Sequence, residues 1–60
     1  MKDYYKEIDS AIKCYETGKY RIHDIDWICS RIDWCWKWRR IGEHQKDELC
    51  DRIVAIMKMI

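Results

Sequence analysis

The stretch Ile22-His23-Asp24-Ile25-Asp26-Trp27-Ile28-Cys29-Ser30-Arg31-Ile32-Asp33-Trp34-Cys35-Trp36-Lys37-Trp38-Arg39-Arg40-Ile41-Gly42 decides the fold. It contains no proline and no glycine before its last residue, and its apolar residues recur at helical spacing. At about 100° per residue they fall on two stripes. Ile22, Ile25, Ile28, Cys29, Ile32, Cys35 and Trp36 form the first; Trp27, Trp34, Trp38 and Ile41 form the second, roughly 150° away around the axis. Asp26, Ser30, Asp33, Lys37 and Arg40 fill one gap, and Asp24 and Arg31 the other. Asp24 and Asp26 stand where the helix dipole favours negative charge, Arg39 and Arg40 where it favours positive. A helix over about 23–40 is the expectation.

Upstream, Tyr4, Ile8, Ala11 and Tyr15 lie on one helical face, widened by Tyr5 and Ile12. Asp3 suits an N-cap, and Thr17-Gly18 suits a stop, because glycine takes the left-handed conformation at little steric cost. This predicts a helix over about 3–16. Downstream, Ile41-Gly42 forms a short turn, after which Glu43, Asp47 and Glu48 load negative charge onto the start of a helix over about 43–59. Leu49, Cys50, Ile53, Ile56, Met57 and Ile60 make its core stripe, with Val54 beside it and Ala55 and Met59 on the other side. So short a turn forces the second and third helices into an antiparallel hairpin. The expected fold is an all-α three-helix bundle, one domain over residues 1–60. Gly18 and Gly42 are the only glycines and proline is absent, so the two breaks have obvious places.

A chain of 60 residues buries only about 60% of its unfolded surface, and its core supplies roughly 3–5 kcal/mol. A deep pocket would remove packing that such a core cannot spare, so enzymatic activity is not expected. Charge is nearly balanced, with 12 bases against 11 acids. Residues 1–20 are neutral, residues 21–42 carry two extra bases and residues 43–60 one extra acid. The clear basic excess that accompanies duplex DNA binding is missing. Met1-Lys2-Asp3-Tyr4-Tyr5-Lys6-Glu7 lacks the apolar segment of a secretory signal, and the oily run 53–60 is interrupted by Lys58 and too short to span a bilayer. A cytoplasmic protein with reduced cysteines is expected, without a membrane partner.

The chemistry-bearing residues make no recognised site. Structural zinc takes closely spaced cysteine pairs, whereas the nearest pair here, Cys29 and Cys35, points about 120° apart on a helix. Cys14, Cys29 and Cys50 fall in or beside apolar stripes, which suits core packing better than a metal or a disulfide. His23 and His44 lie near helix starts in polar surroundings, with no nucleophile placed beside either, and read as solvated surface histidines. Neither a catalytic residue, a metal nor a cofactor is expected. As a helix-turn-helix, the last helix would present Glu43-His44-Gln45-Lys46-Asp47-Glu48 to phosphate with the wrong sign of charge.

The second stripe of the middle helix is the sharpest feature. A middle helix can bury two faces, one against each neighbour, and that packing accounts for the stripe. A compact bundle nevertheless asks each helix for one broad wedge. Trp27, Trp34 and Trp38 left uncovered would expose several hundred Å² of apolar surface, a sign of an interface. Four Trp and four Tyr with no Phe fit a surface that is half buried or awaits a partner. Both accounts stand at this point.

The run Ile32-Asp33-Trp34-Cys35-Trp36-Lys37-Trp38-Arg39-Arg40-Ile41-Gly42-Glu43-His44-Gln45-Lys46-Asp47-Glu48-Leu49-Cys50-Asp51-Arg52-Ile53 resembles a helical hairpin of small proteins encoded by phages and other mobile elements of Gram-positive bacteria. The shared pattern is an aromatic-basic helix end, a tight turn and an acidic helix opening. The resemblance covers about a third of the chain and carries over no functional residue. Such proteins include anti-defence inhibitors, among them anti-CRISPR proteins, so the resemblance implies a protein that blocks a host defence complex in the bacterial cytoplasm.

The expectation is therefore a non-enzymatic protein-binding module that engages another protein, or a second copy as a homodimer. Trp27, Arg31, Trp34, Trp38, Arg39 and Arg40 are its expected contact residues. The alternative is a small single-stranded nucleic-acid (RNA) binding domain that uses the same tryptophans as stacking platforms.

Overall fold

The computed structural model describes residues 3–59 as three helices: α1 (Tyr4–Thr17), α2 (Ile25–Lys37) and α3 (Glu43–Met59). Each packs against the other two, which makes the chain an all-α three-helix bundle. Asp3 caps α1 by accepting a hydrogen bond from the Lys6 amide at 3.0 Å, and Asp24 caps α2 through the Trp27 amide at 2.7 Å. Gly18 closes α1 in the left-handed region at φ 72°, its amide turned back to the Cys14 carbonyl.

The second break differs from the sequence expectation. α2 ends at Lys37 rather than Arg40, and the left-handed residue is Arg39 at φ 56°, while Gly42 adopts no positive φ. The Arg40 amide donates to the Cys35 carbonyl at 2.7 Å and the Arg39 amide to Trp36 at 3.1 Å. These two bonds form a Schellman closure with arginine where glycine is usual. Closing there frees Ile41 to leave the helix and enter the core, so it does not share the tryptophan stripe. Gly42 instead precedes α3, and its amide donates to Gln45 Oε1 at 2.9 Å, the returning half of a capping box. The connection 38–42 then folds α3 back along α2.

The core consists of Ile8, Ala11 and Ile12 from α1, Ile28, Ile32 and Cys35 from α2, Ile41, and Leu49, Ile53 and Ile56 from α3. Several expected core residues lie outside it. Ile22 is 66% exposed because α2 starts three residues later, and the chain before it is a loop. Met57 is 58% exposed at the rim of an α2–α3 groove, and Cys29 is exposed rather than packed. Ile60 falls outside the described residues.

Polar contacts join the helices around this core. Arg52 on α3 donates to Asp9 at 2.6 Å and to Glu16 at 2.7 and 3.1 Å on α1, with Glu48 at 3.5 Å. Arg31 on α2 pairs with Glu7 on α1 at 3.0 Å. The Tyr15 hydroxyl donates to the His23 carbonyl at 2.9 Å and pins the α1–α2 loop. Among the described residues no helix is long and apolar enough to cross a membrane.

Candidate aromatic interface

The tryptophan stripe of α2 lies beside α1, and its rings occupy graded depths. Trp27 is the deepest, packed against the core edge and stacked on His23 with ring centroids 3.5 Å apart and planes 8° from parallel. Trp34 is 39% exposed and Trp38 61%. Burying two turns of tryptophan against α1 would have accounted for the stripe as internal packing. Trp27 serves that role fully and Trp34 only in part, and the apolar surface grows toward the C-terminal end of α2.

Trp34 is held from several directions. Its ring lies 5.9 Å from Tyr4 on α1 and 6.4 Å from Trp38, both in tilted arrangements. The Arg31 guanidinium stands 4.9 Å from the Trp34 centroid and 5.6 Å from that of Tyr4, and Arg40 stands 5.7 Å from Tyr4. Cations over ring faces are attracted by the π quadrupole, more strongly where water is partly excluded. Because Glu7 fixes Arg31 from α1, this cation–aromatic cluster is ordered before anything binds. Trp27, Ser30, Arg31 and Trp34 bound an open cleft of about 260 Å³ on this face.

Of the six residues expected from the sequence, Trp27, Arg31, Trp34 and Trp38 share this face. Arg40 reaches it over Tyr4, and Arg39 stands exposed at the left-handed turn beside it. Sequence reading missed two members. Tyr4 was expected on the α1 core face and does pack against the core, but in the first turn of α1 its ring also reaches Trp34. His23 was expected to be solvated; it stands one residue before the Asp24 cap, flat against Trp27. Trp36 was expected in the core, yet it is 39% exposed on another side of α2, with Lys46 of α3 5.1 Å from its centroid.

A second feature is the groove between α2 and α3, about 290 Å³, lined by Cys29, Ile32, Asp33, Lys46, Cys50, Ile53, Val54 and Met57. Although Cys29 is exposed as a residue, partial covering of its thiol in the groove foremost, then the neighbouring Cys50 and Asp26, push that thiol up from its ordinary value, away from the reactive thiolate. Among the described residues no three His, Cys, Asp or Glu side chains converge where an ion could sit. Comparison of the chain with protein-family models, curated proteins and solved structures finds no match.

Proposed function

We propose that this chain is a non-enzymatic protein-binding module that docks its partner on the aromatic face of α2. One observation carries this reading: Trp34 and Trp38 stand exposed while Tyr4, Arg31 and Glu7 hold the cluster in place. Tryptophan and arginine dominate binding hot spots, and a preordered cluster loses little side-chain freedom on association. The resemblance of residues 32–53 to mobile-element proteins adds a class of partner to the proposal, a protein of a bacterial host defence complex met in the cytoplasm. The test is affinity capture from a lysate with the wild type, Trp34→Ala and Trp38→Ala side by side. Proteins held by the wild type should be lost from both variants and retained by Trp36→Ala, whose ring faces elsewhere. Capture indifferent to Trp34 and Trp38 would overturn the reading.

A second reading, single-stranded nucleic-acid binding, draws support from Lys37, Arg39 and Arg40, exposed cations with no carboxylate partner among the described residues, next to Trp36 and Trp38. Against it, Trp34 leans on α1 and Trp36 on Lys46 of α3, so the rings do not form one continuous stacking platform. Ionic strength separates the two readings, because nucleic-acid binding weakens steeply with salt.

A further inference from the structure

We propose that a second copy of this chain occupies the aromatic face, the two α2 helices packing antiparallel about a two-fold axis. The inference rests on the reading of this face as an interface. The four residues around the cleft, Trp27, Ser30, Arg31 and Trp34, stand at positions i, i+3, i+4 and i+7 of one helix. That diamond is the hole into which a facing helix inserts one knob.

The sequence of α2 fits its own reversal. Placing the second copy's Trp34 in the hole sets the axis level between Ile32 and Asp33. Arg31 then faces the second copy's Trp34, Trp27 faces its Trp38, and Asp26 faces its Lys37, which lies in the same gap beside the stripe. The guanidinium of Arg31 is already fixed by Glu7 and lies between its own Trp34 and the incoming ring. Asp26 and Lys37 are both exposed and have no ion-pair partner among the described residues. The helix starts acidic at Asp24 and Asp26 and finishes basic at Lys37, Arg39 and Arg40. Antiparallel pairing therefore matches opposite charges and opposes the two helix dipoles, whereas parallel pairing sets like against like. An unrelated partner would require no such symmetry within the helix.

Net charge of +1 leaves little repulsion between copies. The open parts of the three indoles, Arg31 and the charged ends offer about 400–500 Å² per copy, the low end for a specific interface, so the dimer is a weak one.

Sedimentation velocity of the full chain, carried to high micromolar concentration, tests this. The wild type should pass from monomer to dimer. Asp26→Lys and Lys37→Asp should each weaken association by about tenfold or more, since the two-fold repeats each repulsion. The combined charge swap should restore it, a rescue that a merely structural role would not give. Trp38→Ala, at the most exposed of the three indoles on this face, should weaken the dimer while the far-ultraviolet spectrum stays helical. A wild type that remains monomeric, a dimer indifferent to the charge swap, or labelled oligothymidylate displacing the dimer would each overturn the proposal. A monomeric wild type whose captured proteins still depend on Trp34 removes the second copy and keeps the interface. A monomer whose captured proteins ignore Trp34 removes both.

Discussion

Trp34→Ala separates the energy that one ring gives to the fold from the energy it offers a partner. About three-fifths of Trp34 is covered, by Tyr4, Trp38 and the Arg31 side chain among others. A tryptophan buries up to about 250 Å², so the covered part is about 150 Å², worth about 4 kcal/mol as an upper bound. The retained methyl and the collapse of Tyr4 and Trp38 onto the vacated site recover about half of it, because an open site leaves no closed cavity. The expected loss is about 2 kcal/mol against a total of about 3–5. A domain of this size shifts its midpoint by about 4–8 °C per kcal/mol, so the melt should fall by about 10–15 °C.

Thermal circular dichroism at low micromolar concentration, where the self-pairing proposed above would be dissociated, reads this directly. Ile32→Ala is the comparison, since Ile32 is buried among all three helices and its truncation costs about 2–5 kcal/mol. Trp34→Ala should keep a helical spectrum and a cooperative, earlier melt; Ile32→Ala should be largely unfolded. A Trp34→Ala spectrum as collapsed as that of Ile32→Ala would show that the ring belongs to the core, and the interface argument would fail with it.

Gly18→Ala should destabilise by about 1 kcal/mol in a thermal or urea melt, solely through the left-handed backbone, because an added Cβ meets nothing within 4 Å. Cys35→Ser should cost about 1–3 kcal/mol by placing a hydroxyl at a fully buried position, while Cys14→Ser, Cys29→Ser and Cys50→Ser together leave partner capture unchanged; stoichiometric zinc, or unfolding by a chelator, would contradict this. Acid should weaken the fold through the Arg52 cluster. Burial pushes Asp9 up, but hydrogen bonds from Arg52 and Lys13 outweigh it and hold the carboxyl below its ordinary range; Glu16 is held down chiefly by its bond to Arg52. Both groups then contribute stability above their unfolded pKa values that is lost as pH falls through the lowered folded ones. Midpoints measured from pH 6 down to about pH 3 should drop more steeply in the wild type than in Arg52→Ala. Arg52→Ala should itself cost about 2 kcal/mol at neutral pH, because it leaves partly buried Asp9 with Lys13 alone and removes the partner of Glu16.

The three helices could be read from the sequence because apolar spacing, Asp3 and Asp24 as caps, and Gly18 all point the same way. The end of α2 could not. Trp36, Lys37, Trp38, Arg39 and Arg40 are all acceptable helix residues, and nothing local marks Arg39 as the left-handed one. What ends the helix is tertiary: Ile41 gains more by burial in the three-helix core than by continuing a stripe toward solvent. Expecting Gly42 to make the turn displaced the break by three residues and put Ile41 on the wrong face. The tryptophan stripe was legible for a different reason. Exposure cannot be read from periodicity, but two apolar stripes far apart on one helix exceed what a single wedge can bury.

How that surplus divides follows from bundle geometry. α1 begins at Tyr4, which meets α2 at Trp34, so the end of α2 beyond that level has little of α1 to cover it. Trp27 is therefore packed at the core edge, Trp34 is partly covered by Tyr4 and its other neighbours, and Trp38 stands past the last helical turn with most of its ring in water. The arginine closure acts on the same end. By turning the chain at Arg39, it leaves Trp38 as the final cap and sends Arg40 back over Tyr4. Had α2 continued to Arg40, as its residues would permit, Ile41 would have been drawn out of the core and Arg40 away from Tyr4. The closure that completes the core is thus the same one that gathers the exposed rings and cations at one end of α2.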